Sequence, residues 1–182
     1  MKYSPKKTDL KIRIIYGALF VLAVFCMLFN FDPSIKVYFS SVGLLSLVSS
    51  LYLFIKLEFT TYEYILIERN DTLDFYVNKI VGRRGNYVCY FPLSDALELC
   101  EYTSESKARL KEQYKNPLIY KYNQNVLCGK RYALVFENDN LPCVIVIEPN
   151  DELISHIEKE LSRQKEIKSL DNLETPDTKA EE

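Results

Sequence analysis

The 182 residues carry 23 Lys plus Arg against 25 Asp plus Glu, and 48% of them are apolar. This supports one modest domain and something besides, and excludes a multidomain enzyme. The near-balance of charge is uneven: residues 1–13 set Lys2, Lys6, Lys7, Lys11 and Arg13 against Asp9, a net +4, and residues 169–182 set five acids against Lys179, a net −4.

Residues 1–13 read as a basic cytoplasmic N-terminus. Lys6, Lys7, Lys11 and Arg13 are its candidate membrane-surface contacts, since each such charge near an anionic leaflet contributes about 1 kcal/mol. Residues 14–31 (IIYGALFVLAVFCMLFNF) contain no charge, and at about 1.5 Å per residue they cover roughly 27 Å, close to a hydrocarbon core of about 30 Å. Residues 37–55 (VYFSSVGLLSLVSSLYLFI) form a second uncharged run beyond the connection Asp32-Pro33-Ser34-Ile35-Lys36. Backbone polar groups in lipid need internal hydrogen bonds, so residues 14–55 are expected to form a two-helix transmembrane hairpin. A cleavable signal peptide is the alternative for the first run, but no A-x-A-like site follows it. Neither run has the polar stripe of a soluble surface helix.

Five Lys and Arg precede the first run, Lys36 lies in the connection and Lys56 follows the second. The excess places both termini in the cytoplasm, in a multi-pass protein of the cell membrane. Cys26, Cys89, Cys100, Cys128 and Cys143 then face no oxidising compartment and read as small buried thiols. The sequon Asn70-Asp71-Thr72 lies on the wrong side to be glycosylated. Gly43, Ser46 and Ser50 fall within about 60° of one another on a helical wheel, a small-residue face for close helix packing, within the hairpin or in a homo-oligomer. Neither run holds an ionisable side chain, which disfavours a transporter, a pump or a pore.

From residue 58 to 168 the apolar periodicity shortens towards two, with turn residues between the runs. Strands are expected at 59–69, 73–80, 87–91, 96–102, 118–122, 131–137 and 143–148. Gly82-Arg83-Arg84-Gly85 forms a turn. Residues 104–116 (SESKARLKEQYKN) form either a surface helix or a loop. Pro149-Asn150-Asp151-Glu152 has the chemistry of a helix start, with a capping Asn and two acids at the positive end of the dipole. Leu153, Ile154, Ile157 and Leu161 give that helix one apolar face. Residues 169–182 have few apolar anchors and are expected to be a disordered acidic tail.

Candidate chemistry is sparse. His156 is the one histidine, at the flank of the helix's apolar face, and reads as a solvated residue. The cysteines lack any C-x-x-C spacing, so no metal is expected. Cys128-Gly129-Lys130-Arg131 sets a thiol beside cations, which also fits an ordinary strand edge. Glu98 with Glu101, and Glu63 with Glu68, are acids at strand spacings that face solvent more readily than one another. No phosphate-cradling loop or metal-hydrolase helix is present, so no cofactor and no catalytic residue are assigned. Nucleic acid is a poor partner, because no basic face or known binding module is evident.

Seven strand candidates followed by one amphipathic helix, with the junction Ile147-Glu148-Pro149-Asn150-Asp151, resemble a pleckstrin-homology-like domain. Joined to the helical hairpin, the chain is similar to bacterial two-pass membrane proteins that carry such a domain in the cytoplasm. The resemblance implies an α+β fold: a transmembrane hairpin, then a bent antiparallel sheet or barrel closed by the C-terminal helix. Pleckstrin-like domains that bind inositol lipids use basic residues around a strand-strand loop. On that analogy Lys79, Arg83 and Arg84 are candidate lipid-headgroup contacts, although a solvated basic turn explains them too. The functional expectation is a membrane-anchored, non-catalytic binding or scaffold protein, facing a protein partner or the membrane surface. The alternative is a membrane-surface enzyme with an unrecognised site.

Overall fold

The computed structural model describes residues 1–7, 10–29, 32–69, 72–125, 129–139 and 141–171, with side chains through 167. The two apolar runs are helices, α1 (Leu10–Leu28) and α2 (Pro33–Phe54). Both are long and apolar enough to cross a membrane by length and composition. Helix α2 begins inside the expected connection because Pro33 takes the first helical position, where a missing N–H costs nothing. The carbonyl of Asp32 accepts the amides of Ile35 and Lys36. Most large apolar side chains on both helices are exposed.

The helices meet through small residues. Gly43, Ser46 and Ser50 are buried against α1, where Ala23 and Cys26 are buried in turn. A Cβ on Gly43 would lie 3.0 Å from the Cys26 Cβ and 3.4 Å from the Ala23 carbonyl oxygen, so only glycine permits this approach. The Ser50 hydroxyl donates to the Tyr16 carbonyl at 2.8 Å, which satisfies it within the pair. This face is occupied by α1, so any contact between copies uses other surfaces.

A π-helical turn, Ile55–Phe59, carries α2 directly into strand β2 (Thr60–Arg69) without a loop. Strands β3 (Thr72–Val81) and β4 (Arg84–Pro92) follow β2 in a meander. The N-terminal segment joins the first sheet: Lys2–Tyr3 is a strand, β1, antiparallel to β2 with Tyr3 opposite Tyr64. The first sheet therefore runs β1-β2-β3-β4 and draws on chain from both ends of the hairpin. A two-residue strand has no period for sequence reading to detect; it exists because the edge of β2 presents unpaired backbone groups.

A 3-10 turn, Leu93–Asp95, leads into the second sheet, ordered β5 (Ala96–Glu101), β7 (Tyr132–Asn138), β8 (Leu141–Ile147), β6 (Leu118–Lys121). Residues 104–116 resolve into helix α3 (Ser104–Gln113) and its exit. Thr103 and Ser106 close a reciprocal capping box at its start. Because α3 returns the chain to the end where β5 began, β6 runs in the direction of β5 and pairs with β8 in parallel. The other strand pairings are antiparallel. Helix α4 (Asp151–Asp171) closes the domain and extends past residue 168; the expected tail beyond it lies outside the described residues.

The two sheets enclose the main core, bridged by Phe91 stacked on Phe136 at a centroid distance of 4.0 Å. Leu153, Ile157 and Leu161 of α4 seal it from one side. Strands β7 and β8 are buried on both faces, because Leu110 of α3 packs on Ala133, Val135 and Val144 behind them. This explains why those strands read as continuous apolar runs rather than as alternating ones.

Candidate membrane-proximal site

Where the hairpin meets the first sheet, polar side chains converge on Glu58. Its carboxylate pairs with Arg13 at 3.0 Å and accepts the Tyr16 hydroxyl at 3.2 Å, and its carbonyl accepts the Lys7 ammonium. The N-terminal segment is tied along the same edge. Ser4 donates to the Tyr62 carbonyl, the Asn125 amide donates to the Lys6 carbonyl, and Lys2 pairs with Glu63 at 3.0 Å. Of the candidate membrane-surface residues, Arg13 and Lys7 are thus engaged with Glu58. The side chains of Lys6 and Lys11 are exposed. Sequence reading missed Glu58 as a hub; a lone acid immediately after an apolar helix, opposite a basic segment, was the available signal.

Strand β3 returns towards the hairpin and ends level with the start of β2. Val81 lies opposite Thr60, and the Gly82 amide donates to the Phe59 carbonyl at 2.8 Å. Gly82 adopts φ +63°, which lets the chain reverse there without strain. The turn sets Arg83 and Arg84 beside the end of the π-helical turn, and both are exposed. Lys79 sits apart from them, half-buried on β3 opposite Tyr62. By strand alternation it shares the face of Phe75 and Val77. Ile55, Phe59 and Val81 are exposed apolar residues at the same level, with Lys56 between them in the π-helical turn. Among the described residues none of Lys56, Arg83 and Arg84 forms an ion pair.

A second polar cluster is buried. Glu148, at the end of β8, accepts the Asn125 backbone amide at 3.0 Å and its side-chain amide at 3.0 Å. The Glu148 amide donates to the Tyr64 hydroxyl, which donates to the Tyr122 carbonyl at 2.7 Å. Burial keeps that phenol protonated far above the ordinary tyrosine range, although the bond from the Glu148 amide works the other way. Asn123, Gln124 and Asn125 are buried, and Gln124 donates to the Thr60 carbonyl at 2.9 Å. The group fastens the loop after β6, the end of β8 and the N-terminal segment to one another.

The remaining candidates do not converge. Glu98 pairs with Arg109 and accepts Tyr114, anchoring α3 to β5, and Glu63 holds Lys2 and Asn78. His156 is exposed on α4. Cys26 and Cys143 are buried, whereas Cys89 and Cys100 are only half-buried, because β4 and β5 are edge strands. Burial pushes the Cys89 thiol up to about 11, so it is a poor nucleophile. Cys128 lies outside the described residues. A cavity of about 630 Å³ between the end of α3 and the β7–β8 turn is lined mainly by Leu97, Tyr114, Pro117, Leu118 and Leu141. It lies at the far end of the domain from the Arg83–Arg84 turn. Among the described residues no three His, Cys, Asp or Glu side chains are grouped to hold a metal.

No curated protein and no solved structure matches the chain. A family model does match, described as bacterial PH-like domain (DUF6106), over residues 4–166, a span that takes in both apolar helices and both sheets apart from β1. Two apolar helices, a sheet-rich domain and a sealing C-terminal helix in one continuous match identify the chain as a member of this bacterial PH-like domain family.

Proposed function

We propose that the chain is a membrane-anchored, non-catalytic binding module. Its two apolar helices cross the cell membrane with both termini in the cytoplasm, and its PH-like domain is presented to a protein partner at the inner face. PH-like domains are generally binding modules, which supports a role by contact rather than by turnover. The observation that carries the reading is the pairing of β1 with β2. Lys2–Tyr3 precedes the first helix and Thr60–Arg69 follows the second, so a hairpin that crosses the bilayer twice returns the chain to the side it left. The basic excess flanking the helices makes that side cytoplasmic. The absence of a loop between α2 and β2 holds the domain at the surface, where tethering raises the local concentration of whatever it meets.

The test is made on the full-length protein. It is expected to resist alkaline extraction, to keep a C-terminal reporter inside the cell, and to recover a reproducible protein partner on affinity capture from gently solubilised membranes. Release into the aqueous fraction, or a reporter active only outside, overturns the anchoring. Capture of nothing beyond the protein itself overturns the protein-partner role.

A further inference from the structure

We propose that the edge of β2 docks an extended, basic segment of a protein partner, which pairs antiparallel with β2 in the place of β1. This deepens the proposed function and rests on its protein-partner role. The edge is filled piecemeal. By alternation, the even-numbered residues of β2 present their backbone groups away from β3. The Thr60 carbonyl accepts Gln124, the Tyr62 carbonyl accepts Ser4, and the Leu66 amide donates to the Met1 carbonyl at 2.9 Å, with Tyr3 opposite Tyr64. Glu68 comes next, and no described strand pairs with it on that side. A two-residue strand thus covers the middle of a ten-residue one and stops short of an open step. An invading strand can pair first at Glu68 and then replace β1 residue by residue, so few bonds are lost before new ones form. The chemistry this edge accepts is that of β1. Lys2 pairs with Glu63 at 3.0 Å, Lys7 donates to the Glu58 carbonyl, and Tyr3 lies 6.3 Å from the Tyr64 ring, against the main core. Glu58, Glu63 and Glu68 recur every five residues along β2 and its lead-in. Among the described residues Glu68 forms no ion pair, and Ile67 beside it is 44% exposed. The edge is therefore complementary to a segment with cations spaced along it and an aromatic residue for Tyr64. Main-chain bonds supply its affinity and those side chains its specificity.

The probe is a fluorescein-labelled synthetic peptide, residues 1–7 of this chain preceded by Lys-Val, which in the β1 register sets the added lysine opposite Glu68. A second peptide lacks the extension. Both are titrated against the full-length protein in nanodiscs, as the parent, as Y3P and as K2C/I65C. Y3P removes the ring and the amide that hold β1 in place. K2C/I65C joins two residues that lie directly opposite each other, once oxidised with diamide, and frees them on reduction. The parent is expected to bind the extended probe more tightly than the short one, with the Glu68 amide newly protected from hydrogen exchange. Y3P should tighten binding about tenfold or more, because the open edge is no longer drawn from a minor population. Oxidised K2C/I65C should bind neither peptide until it is reduced. Equal binding by oxidised and reduced K2C/I65C, no gain in a Y3P protein whose near-UV circular dichroism matches the parent, or binding that leaves Glu68 unprotected overturns the inference. If Y3P does not fold, the oxidised and reduced forms of K2C/I65C decide it. A partner captured by the parent should likewise be lost on oxidised K2C/I65C and regained on reduction. Capture that ignores the lock overturns the inference and leaves the proposed function standing on another surface. Capture of nothing by any form overturns the protein-partner role itself, with the capacity of the edge still read from the probe.

Discussion

Tyr64→Phe isolates the polar joint that closes the domain. The ring is fully buried and packs on Phe75 and Tyr3, so the substitution keeps its shape and removes one oxygen. That oxygen accepts the Glu148 amide at 3.1 Å and donates to the Tyr122 carbonyl at 2.7 Å. Phenylalanine strands both backbone groups in the interior, at a cost of about 1–3 kcal/mol for each group left unsatisfied. Partial relaxation of the loop after β6 offsets some of this, and the expected loss is about 2–4 kcal/mol. Urea unfolding of the full-length protein in mild detergent, followed by the near-UV tyrosine signal, measures it. Faster amide exchange at the end of β8 locates it. A variant within about 0.5 kcal/mol of the parent would refute the account of this joint, since that is the range of inert surface substitutions. The pH dependence supplies a second check. Burial raises the Tyr64 phenol above its ordinary value, so its contribution is present below about pH 10, where an unfolded tyrosine is still protonated. As pH rises beyond 10 the unfolded chain ionises first and stability falls. The gap between parent and variant therefore narrows with alkalinity. Alkaline loss persists in the variant, because Tyr3, Tyr62 and Tyr122 are raised by burial as well.

Other outcomes follow from the packing. Ile157→Ala empties a fully buried position where α4 meets the sheets and should cost about 2–5 kcal/mol in the same unfolding assay. Leu110→Ala should instead act locally: α3 rests on a separate small core, so amide exchange over 104–113 should rise more than exchange in the first sheet. Gly43→Leu forces α1 and α2 apart, because even its Cβ would lie 3.0 Å from the Cys26 Cβ, with a cost of about 1–3 kcal/mol read as lower resistance of the hairpin to dissociation in harsh detergent. At pH 8 Cys89, with its thiol pushed up to about 11 from 9.0, should alkylate about a hundredfold more slowly than in the unfolded chain, in line with its thiolate fraction. Equal rates would show that the strand is open to solvent.

The elements that repeat were legible in the linear chain, because their physics is local. Uncharged runs long enough for a bilayer became α1 and α2, alternating apolar residues became β2 and β3, and the Asn150 cap with Asp151 and Glu152 started α4. Boundaries moved where a single residue outweighed the pattern, as Pro33 did at the start of α2. The charged stretch 104–116 was undecided because its helix depends on one apolar residue, Leu110, whose partners lie on β7 and β8.

What tertiary structure alone decided are the features whose partners are distant in sequence. Lys2–Tyr3 is a strand only because β2 offers an edge, and Glu58 is a hub only because the hairpin brings Arg13 and Tyr16 back to it. Asn125 and Gln124, polar enough to pass for a turn, are interior because Glu148 accepts both amides of Asn125 and the Thr60 carbonyl accepts the Gln124 side chain. Composition determined that this chain has apolar helices and a sheet-rich domain. Hydrogen bonds spanning many tens of residues determined where the two are joined, because such bonds exist only after the chain has folded.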